Sequence, residues 1–105
     1  ADNDLPKMIR RFGERIHFAH CRNVKRTAEQ AFHEVAHPPS YGDVDLVEVM
    51  RAYSDIGYTG PMRPDHGRNV WGEVGTPGYA LNDRAMGATY LLGLWDGIQR
   101  ERSKA

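Results

Sequence analysis

Two short stretches of this sequence each pair a histidine with charged neighbours that can do chemistry. His20 and Arg22 lie two residues apart in "HFAHCRNV", and Asp65 directly precedes His66 in "PMRPDHGR". A carboxylate is a hard oxygen ligand for Mg²⁺ or Mn²⁺, and a mixed His/Asp set suits a transition metal. Histidine also gives and takes protons near neutral pH. Together the stretches indicate a metal site with an acid or base beside it.

Both stretches are predicted to be strands, which decides how their side chains point. Residues 15–24 are rich in apolar and aromatic side chains, and alternation places His20 and Arg22 on one face. Residues 60–65 are extended because a proline follows Arg63, and Arg63 then shares a face with Asp65. Such groups at carboxyl ends of strands suit the mouth of an α/β barrel. The alternatives are a locally hydrogen-bonded histidine and an Arg-Asp salt bridge in a turn.

Helical spacing surrounds these strands. It predicts helices between Asp4 and Gly13, from Asp45 to Gly57, and from about Asn82 to Glu101. The polar residues 25–43 predict one or two helical turns. Strands separated by helices are normally parallel neighbours. Two parallel strands under three helices leave open edges, so the order predicts part of a larger α/β fold.

Composition limits the class of protein. At 105 residues the chain holds one small domain at most, or a piece of a larger one. Its 14 basic and 14 acidic residues cancel and form no basic stripe, which argues against a nucleic-acid binder. No apolar run approaches the ~20 residues of a membrane span. A single cysteine, Cys21, favours a cytoplasmic protein and is predicted to be a buried, inert thiol.

Residues 33–37, "HEVAH", match the H-E-x-x-H signature of zinc peptidases. That signature needs both histidines on one helix. Two prolines follow His37 at once, and a residue before proline avoids the α region. The sequence therefore argues against a peptidase zinc site here.

With these motifs in hand, the chain resembles the C-terminal part of a mannonate dehydratase. The resemblance runs through "HFAHCRNVK", "FHEVAH", "GDVDLVEVM", "GPMRPDHGR" and "GYALNDRAMGATYLLGL" in matching order. It implies that residues 1–105 are a C-terminal fragment of a single TIM-barrel domain. The implied fold is α/β, the last βαβα portion of a (β/α)8 barrel of the xylose-isomerase-like type.

The resemblance also implies roles for individual residues. His20 and Asp65 would be two ligands of a divalent metal, Mn²⁺ or Fe²⁺, whose other ligands lie on missing strands. Arg63, His66 and Tyr79 match positions for substrate binding or proton transfer. Two further residues are expected at the substrate, Arg22 at its negative charge and His33 in a loop that can close. Cys21 does not match the family's ligand cysteine.

The implied reaction removes water from D-mannonate to give 2-keto-3-deoxy-D-gluconate in glucuronate breakdown. Two alternatives stay open. A sugar isomerase or epimerase could use the same metal, His and Asp on the same barrel. The isolated chain could instead be a non-catalytic fragment, because it lacks most of a barrel that needs ~250 residues. Such a fragment is expected to associate with itself, or with the missing N-terminal part, to cover its open edges.

Overall fold

The computed structural model describes residues 3–104, so residues 1, 2 and 105 of the predicted domain lie outside the described part. Two short 3-10 turns occur at Gly13–Arg15 and Pro39–Tyr41. The regular elements in chain order are helix α1 (Leu5–Phe12), strands β1 (Ala19–His20), β2 (Asn23–Ala28) and β3 (Ala31–Val35), helix α2 (Leu46–Asp55), strand β4 (Met62–Arg63) and helix α3 (Leu81–Ser103).

The first two helices begin at aspartates that cap them. The Asp4 carboxylate accepts a hydrogen bond from the Lys7 amide at 3.1 Å, and Asp45 accepts one from the Glu48 amide at 3.2 Å. These bonds satisfy amides that have no partner inside the helix. After α2, Gly57 takes a φ of 67°, a left-handed conformation that favours glycine. The predicted bounds of both helices are confirmed.

Helix α3 is capped from a distance. The residue before it, Ala80, makes no side-chain hydrogen bond to the first amides of the helix. Instead the Glu73 carboxylate, in the preceding loop, accepts from the amides of Leu81 at 3.0 Å and Asn82 at 3.3 Å. The helix extends from Leu81 to Ser103, which confirms the prediction with a slight extension at each end.

Strands β1 and β4 are parallel neighbours, as the order of elements predicted. Ala19 pairs with Met62, and His20 pairs with Arg63. Ala19 is buried, whereas His20 and Arg63 are exposed on the opposite face. One face of this small sheet therefore packs on the helices, and the other carries the polar groups of interest.

Residues 21–37 correct two sequence predictions. The predicted strand 15–24 is interrupted, because only Ala19–His20 pairs with β4 and Asn23 already begins β2. The polar residues 25–43 are mostly an antiparallel hairpin, β2 with β3, and only Pro39–Tyr41 forms a helical turn. Backbone pairing makes this hairpin, since nearly all of its side chains are exposed or half-exposed.

Asn23 fixes the base of the hairpin. Its side-chain amide donates to the carbonyl oxygens of Ala36, His37 and Pro38 at 2.9 to 3.3 Å. Its carbonyl oxygen accepts from the Val44 amide at 3.0 Å. Asn23 is fully buried, so each of these bonds satisfies a group that water does not reach. The hairpin thus emerges from the strand ends at a fixed position.

The helices form one layer on the buried face of β1 and β4. Helix α2 packs between α1 and α3. The core comprises the buried apolar residues Ile9, Ala19, Cys21, Leu46, Val49, Met50, Ala52, Tyr53, Tyr58, Leu91 and Ile98. The α/β class is thereby confirmed, while the place of these strands in an eight-stranded barrel stays a prediction. Among the described helices, none combines the length and apolar character required to cross a bilayer.

Candidate active site

His20 and Asp65 meet where the two parallel strands end. His20 closes β1, and Asp65 follows β4 by two residues. The His20 Nδ1 lies 3.1 Å from the Asp65 Oδ1, a hydrogen-bonding distance. Asp65 has a φ of 70°, a left-handed conformation in which non-glycine residues are uncommon. Residues with strained backbone cluster at functional sites, where the surrounding structure holds them in that conformation.

His66 lies beside this pair and is engaged by a residue of the hairpin. Its Nδ1 is 2.5 Å from the Glu34 Oε1, and its Nε2 is 3.7 Å from the Asp65 Oδ1. One donor atom from each of Glu34, Asp65 and His66 lies within 4.8 Å of the other two. Two distant segments of chain, the hairpin and the residues after β4, therefore converge on one small volume at the strand ends.

Arg22 is held inside the protein next to this volume. Its Nη1 donates to the backbone oxygen of His66 at 2.8 Å, and its Nη2 donates to the Asp83 Oδ2 at 2.8 Å. The Nε of Arg22 is buried without a hydrogen-bond partner among the described residues. Arg22 thus stabilises the backbone at His66 and keeps one donor unused.

Asp83, in the first turn of α3, receives two guanidinium groups. Arg68 donates to its two oxygens, Oδ2 at 2.9 Å and Oδ1 at 3.1 Å, and Oδ2 also accepts from Arg22. Burial opposes ionisation of Asp83, but the hydrogen bonds from Arg68 and Arg22 outweigh it and hold the pKa of this carboxyl well below its ordinary value. Asp83 therefore stays ionised and ties α3 to the segment that follows His66.

The buried His37 side chain bridges the segments that follow β1 and β4. Its Nε2 lies 2.9 Å from the backbone oxygen of Cys21 and 3.2 Å from that of Pro64. Both partners are acceptors, so Nε2 carries the proton. Burial, followed by the nearby charge of Arg22, lowers the pKa of His37. The neutral imidazole of His37 thus donates to both strand ends, in place of the backbone amide that would do so within a sheet.

The remaining predicted site residues lie at different distances from this centre. Arg63 is exposed and pairs in register with His20. Tyr79 is 71% exposed, and its backbone bridges to Gly67, the residue after His66. His33 lies on β3 next to Glu34, so alternation turns its side chain to the other face of the hairpin. The structure therefore places Arg63 beside His20, brings the backbone of Tyr79 to Gly67, and turns the His33 side chain away from that of Glu34.

Cys21 and "HEVAH" behave as the sequence predicts. Cys21 is 3% exposed, and burial, with a smaller effect from the charge of Asp65, raises the pKa of its thiol to about 12. Residues Ala31–Val35 form a strand, so the two histidines of the motif do not share a helix. His37 is buried against backbone oxygens, which leaves no zinc-peptidase geometry at this motif.

The donor groups fit a divalent metal ion. His20 Nδ1 and Asp65 Oδ1 lie 3.1 Å apart, close enough for both to bind one ion. A mixed nitrogen and oxygen pair is also the donor chemistry that manganese and iron accept in proteins.

Comparisons with known proteins agree with this chemistry. The sequence profile of the D-mannonate dehydratase (UxuA) family matches residues 1–105. Mannonate dehydratase 2 of Halalkalibacterium halodurans is 60% identical over 98 residues, which are 91% of this chain and 28% of that protein. The mannonate dehydratase of Thermotoga petrophila is 57% identical over 105 residues, 98% of this chain and 29% of that protein.

A solved structure gives the same result. The crystal structure of mannonate dehydratase from Streptococcus suis serotype 2 matches with a TM-score of 0.88 and 42% identity, over 95% of this chain and 29% of that one. The chain thus spans less than a third of the length of these relatives and corresponds to their C-terminal part. A profile match along the whole sequence, with this identity and this fold, shows that the chain belongs to the mannonate dehydratase family.

Proposed function

We propose that this chain supplies one side of the active site of a metal-dependent mannonate dehydratase. In this proposal residues 1–105 form the last two strands, with their helices, of a (β/α)8 barrel. His20 and Asp65 would hold a divalent ion, Mn²⁺ or Fe²⁺, together with ligands from the remainder of the protein. The observation that carries the proposal is the 3.1 Å approach of His20 Nδ1 to Asp65 Oδ1 at the ends of adjacent parallel strands.

The reaction converts D-mannonate to 2-keto-3-deoxy-D-gluconate and water, a step of glucuronate breakdown. The C2 proton lies beside a carboxylate and is too weakly acidic to leave unaided. A divalent ion in this site would polarise the substrate's oxygens and make that proton more acidic. A base must then remove the proton, and an acid must protonate the C3 hydroxyl as it departs. The resulting enol tautomerises to the keto acid.

In this proposal His66 and Tyr79 share the two proton transfers. The ring of His66 lies next to Asp65, where the substrate would be bound. Tyr79 would be the second group: it is exposed, and its backbone bridges to Gly67, the residue after His66. The two roles together satisfy the need for one base and one acid.

The basic residues would hold the charge of the substrate. Arg63 presents an exposed guanidinium beside His20, where it can pair with a carboxylate. Arg22 is buried and bound to Asp83 and His66, so it would act on the substrate through its positive charge beside the site. The proposed contact of His33 requires the hairpin to close over the strand ends, because His33 lies on its other face.

A grafted enzyme tests the proposal directly. This chain would replace the matching 105 residues of the Thermotoga petrophila relative, which supplies the rest of the length. We expect the hybrid to form keto acid from D-mannonate with added Mn²⁺. His20→Ala or Asp65→Ala should lower kcat/KM by about 100-fold or more. Both should also weaken Mn²⁺ binding, which electron paramagnetic resonance measures.

The control is His17→Ala, which removes an exposed histidine from the same segment. It should leave activity and Mn²⁺ binding unchanged. A folded hybrid that releases no keto acid would exclude the dehydratase assignment. A hybrid that rearranges D-mannonate without losing water would favour an isomerase or epimerase instead.

A further inference from the structure

We infer that Glu34 is a positioning residue that fixes the imidazole of His66 in one orientation and one tautomer. Glu34 is on strand β3 of the hairpin, 32 residues before His66 in the sequence. The effect of Glu34 on the ring is a property of this chain alone. Its effect on catalysis rests on the proposed dehydratase function.

The contact between the two side chains determines which ring nitrogen carries hydrogen. The His66 Nδ1 lies 2.5 Å from the Glu34 Oε1. An ionised carboxylate only accepts hydrogen bonds, so Nδ1 must be the donor. In the neutral ring the lone pair then belongs to Nε2, which lies 3.7 Å from the Asp65 Oδ1. Glu34 thereby directs the proton-accepting nitrogen toward the proposed metal site.

A second contact holds the backbone of the same residue. Arg22 Nη1 donates to the carbonyl oxygen of His66 at 2.8 Å. The Arg22 side chain is only 6% exposed and is held by Asp83. The backbone of His66 is therefore fixed without Glu34, and the hairpin contact is left to fix the ring.

The hairpin is a suitable support for this purpose. Glu34 pairs in register with Val24 on β2, and Asn23 closes the base of the hairpin through four hydrogen bonds. The Glu34 side chain is 25% exposed, whereas that of His66 is 58% exposed. Glu34 thus covers one edge of the ring and leaves another open to a ligand.

The first test measures the ring itself. Long-range ¹H–¹⁵N spectra of the 105-residue chain at about pH 9, where imidazoles are neutral, report which nitrogen is protonated. His66→Gln identifies the signals by their loss. We expect His66 to be protonated at Nδ1 in the wild type and to become a mixture of tautomers in Glu34→Ala. An unchanged spectrum for Glu34→Ala would overturn the inference.

The second test measures turnover in the grafted enzyme. Glu34→Ala should lower kcat about 10- to 100-fold with little change in KM, because a misplaced ring costs rate rather than binding. Glu34→Gln keeps an oxygen that can accept from Nδ1 and should recover part of the loss. Glu29→Ala, at the exposed tip of the same hairpin, is the matched control and should behave as wild type.

The two tests separate two kinds of failure. A hybrid without dehydratase activity would remove the proposed function, and the spectra would still decide whether Glu34 fixes the ring. A fully active Glu34→Ala hybrid would overturn the positioning role. Equal losses in Glu34→Gln and Glu34→Ala, with a rise in KM, would also overturn it, since they would indicate substrate binding by the carboxylate.

Discussion

Arg22 and Asp83 form an ion pair that is almost sealed from solvent. Arg22 Nη2 lies 2.8 Å from Asp83 Oδ2, and the side chains are 6% and 2% exposed. Removing one partner of a buried pair leaves the other charge uncompensated, which costs about 3–5 kcal/mol. We therefore expect Asp83→Ala to lower the free energy of unfolding by about that amount in urea denaturation.

Asp96 offers a matched control on the same helix. It pairs with Arg100 at 3.2 Å, but the two side chains are 67% and 76% exposed. Exposed pairs contribute about 0–1 kcal/mol. Asp96→Ala should therefore have a small effect on unfolding. Equal effects of Asp83→Ala and Asp96→Ala would show that burial does not increase the contribution of the Arg22–Asp83 pair to the free energy of unfolding.

Acid should weaken the contribution of Asp83. The pKa of this carboxyl lies below its ordinary value of 3.8 in the folded chain, so folding favours its ionised form. The resulting stabilisation is complete at pH values above the unfolded pKa and is lost as the pH falls through the folded pKa. The difference in unfolding free energy between wild type and Asp83→Asn should therefore be larger at pH 7 than at pH 3. A constant difference would contradict the ionic account.

The three glycines of α3 should respond differently to alanine. A Cβ at Gly87 would overlap the ring of His37, whereas a Cβ at Gly93 or Gly97 meets no described atom within 4 Å. Gly87→Ala should cost about 1–3 kcal/mol through overpacking. Gly93→Ala and Gly97→Ala should each add about 0.5–1 kcal/mol by favouring the helix. Thermal unfolding of the three variants measures this difference, and similar shifts for all three would contradict it.

Cys21 should resist labelling while the chain is folded. Burial is the main cause that raises the pKa of its thiol to about 12. The thiolate is the reactive form, so alkylation at pH 8 should be at least about 100-fold slower in the native chain than in denaturant. Because Cys21 is the only cysteine, the mass increase reports this site alone. Rapid native labelling would show that the core opens readily.

An apolar groove beside β4 should drive self-association of the isolated chain. Its lining includes Met62, Leu91 and Trp95, and Leu92 at its edge is 68% exposed. Sedimentation should show a mass that rises with concentration, and Leu92→Glu should reduce the rise. Val74→Glu makes the same change at a loop residue that is 98% exposed and serves as the control. A monomer at all concentrations would contradict this prediction.

The helices and parallel strands could be predicted because local signals determine them. Asp4 and Asp45 cap helices that have a regular apolar spacing, and Pro64 keeps Arg63 extended. The hairpin could not be predicted in this way. Its strands bury almost nothing after Asn23, so no alternation of apolar and polar residues marks them. Their structure depends on contacts between residues far apart in the sequence, above all those of Asn23.

The site was predicted in part for the same reason. His20 ends a strand that the sequence predicts, Asp65 and His66 follow another, and the structure brings the three side chains together. Glu34 was missed because it lies in a segment predicted to be polar loop or helical turn. Asp83 was missed because one acidic residue in the first turn of a helix is common. Only the fold shows that it faces two arginines.

The bridge made by His37 has a consequence for how substitutions in this family would be interpreted. A single side chain holds the backbone oxygens of Cys21 and Pro64, each the immediate neighbour of a proposed ligand. If the proposed metal site is correct, a mutational scan scored by metal retention would therefore rank position 37 beside His20 and Asp65, although the His37 Nε2 contacts only backbone oxygens. Sensitivity to substitution of His37 would report the backbone support of the site. Counting His37 as a metal ligand would overstate the number of ligands by one.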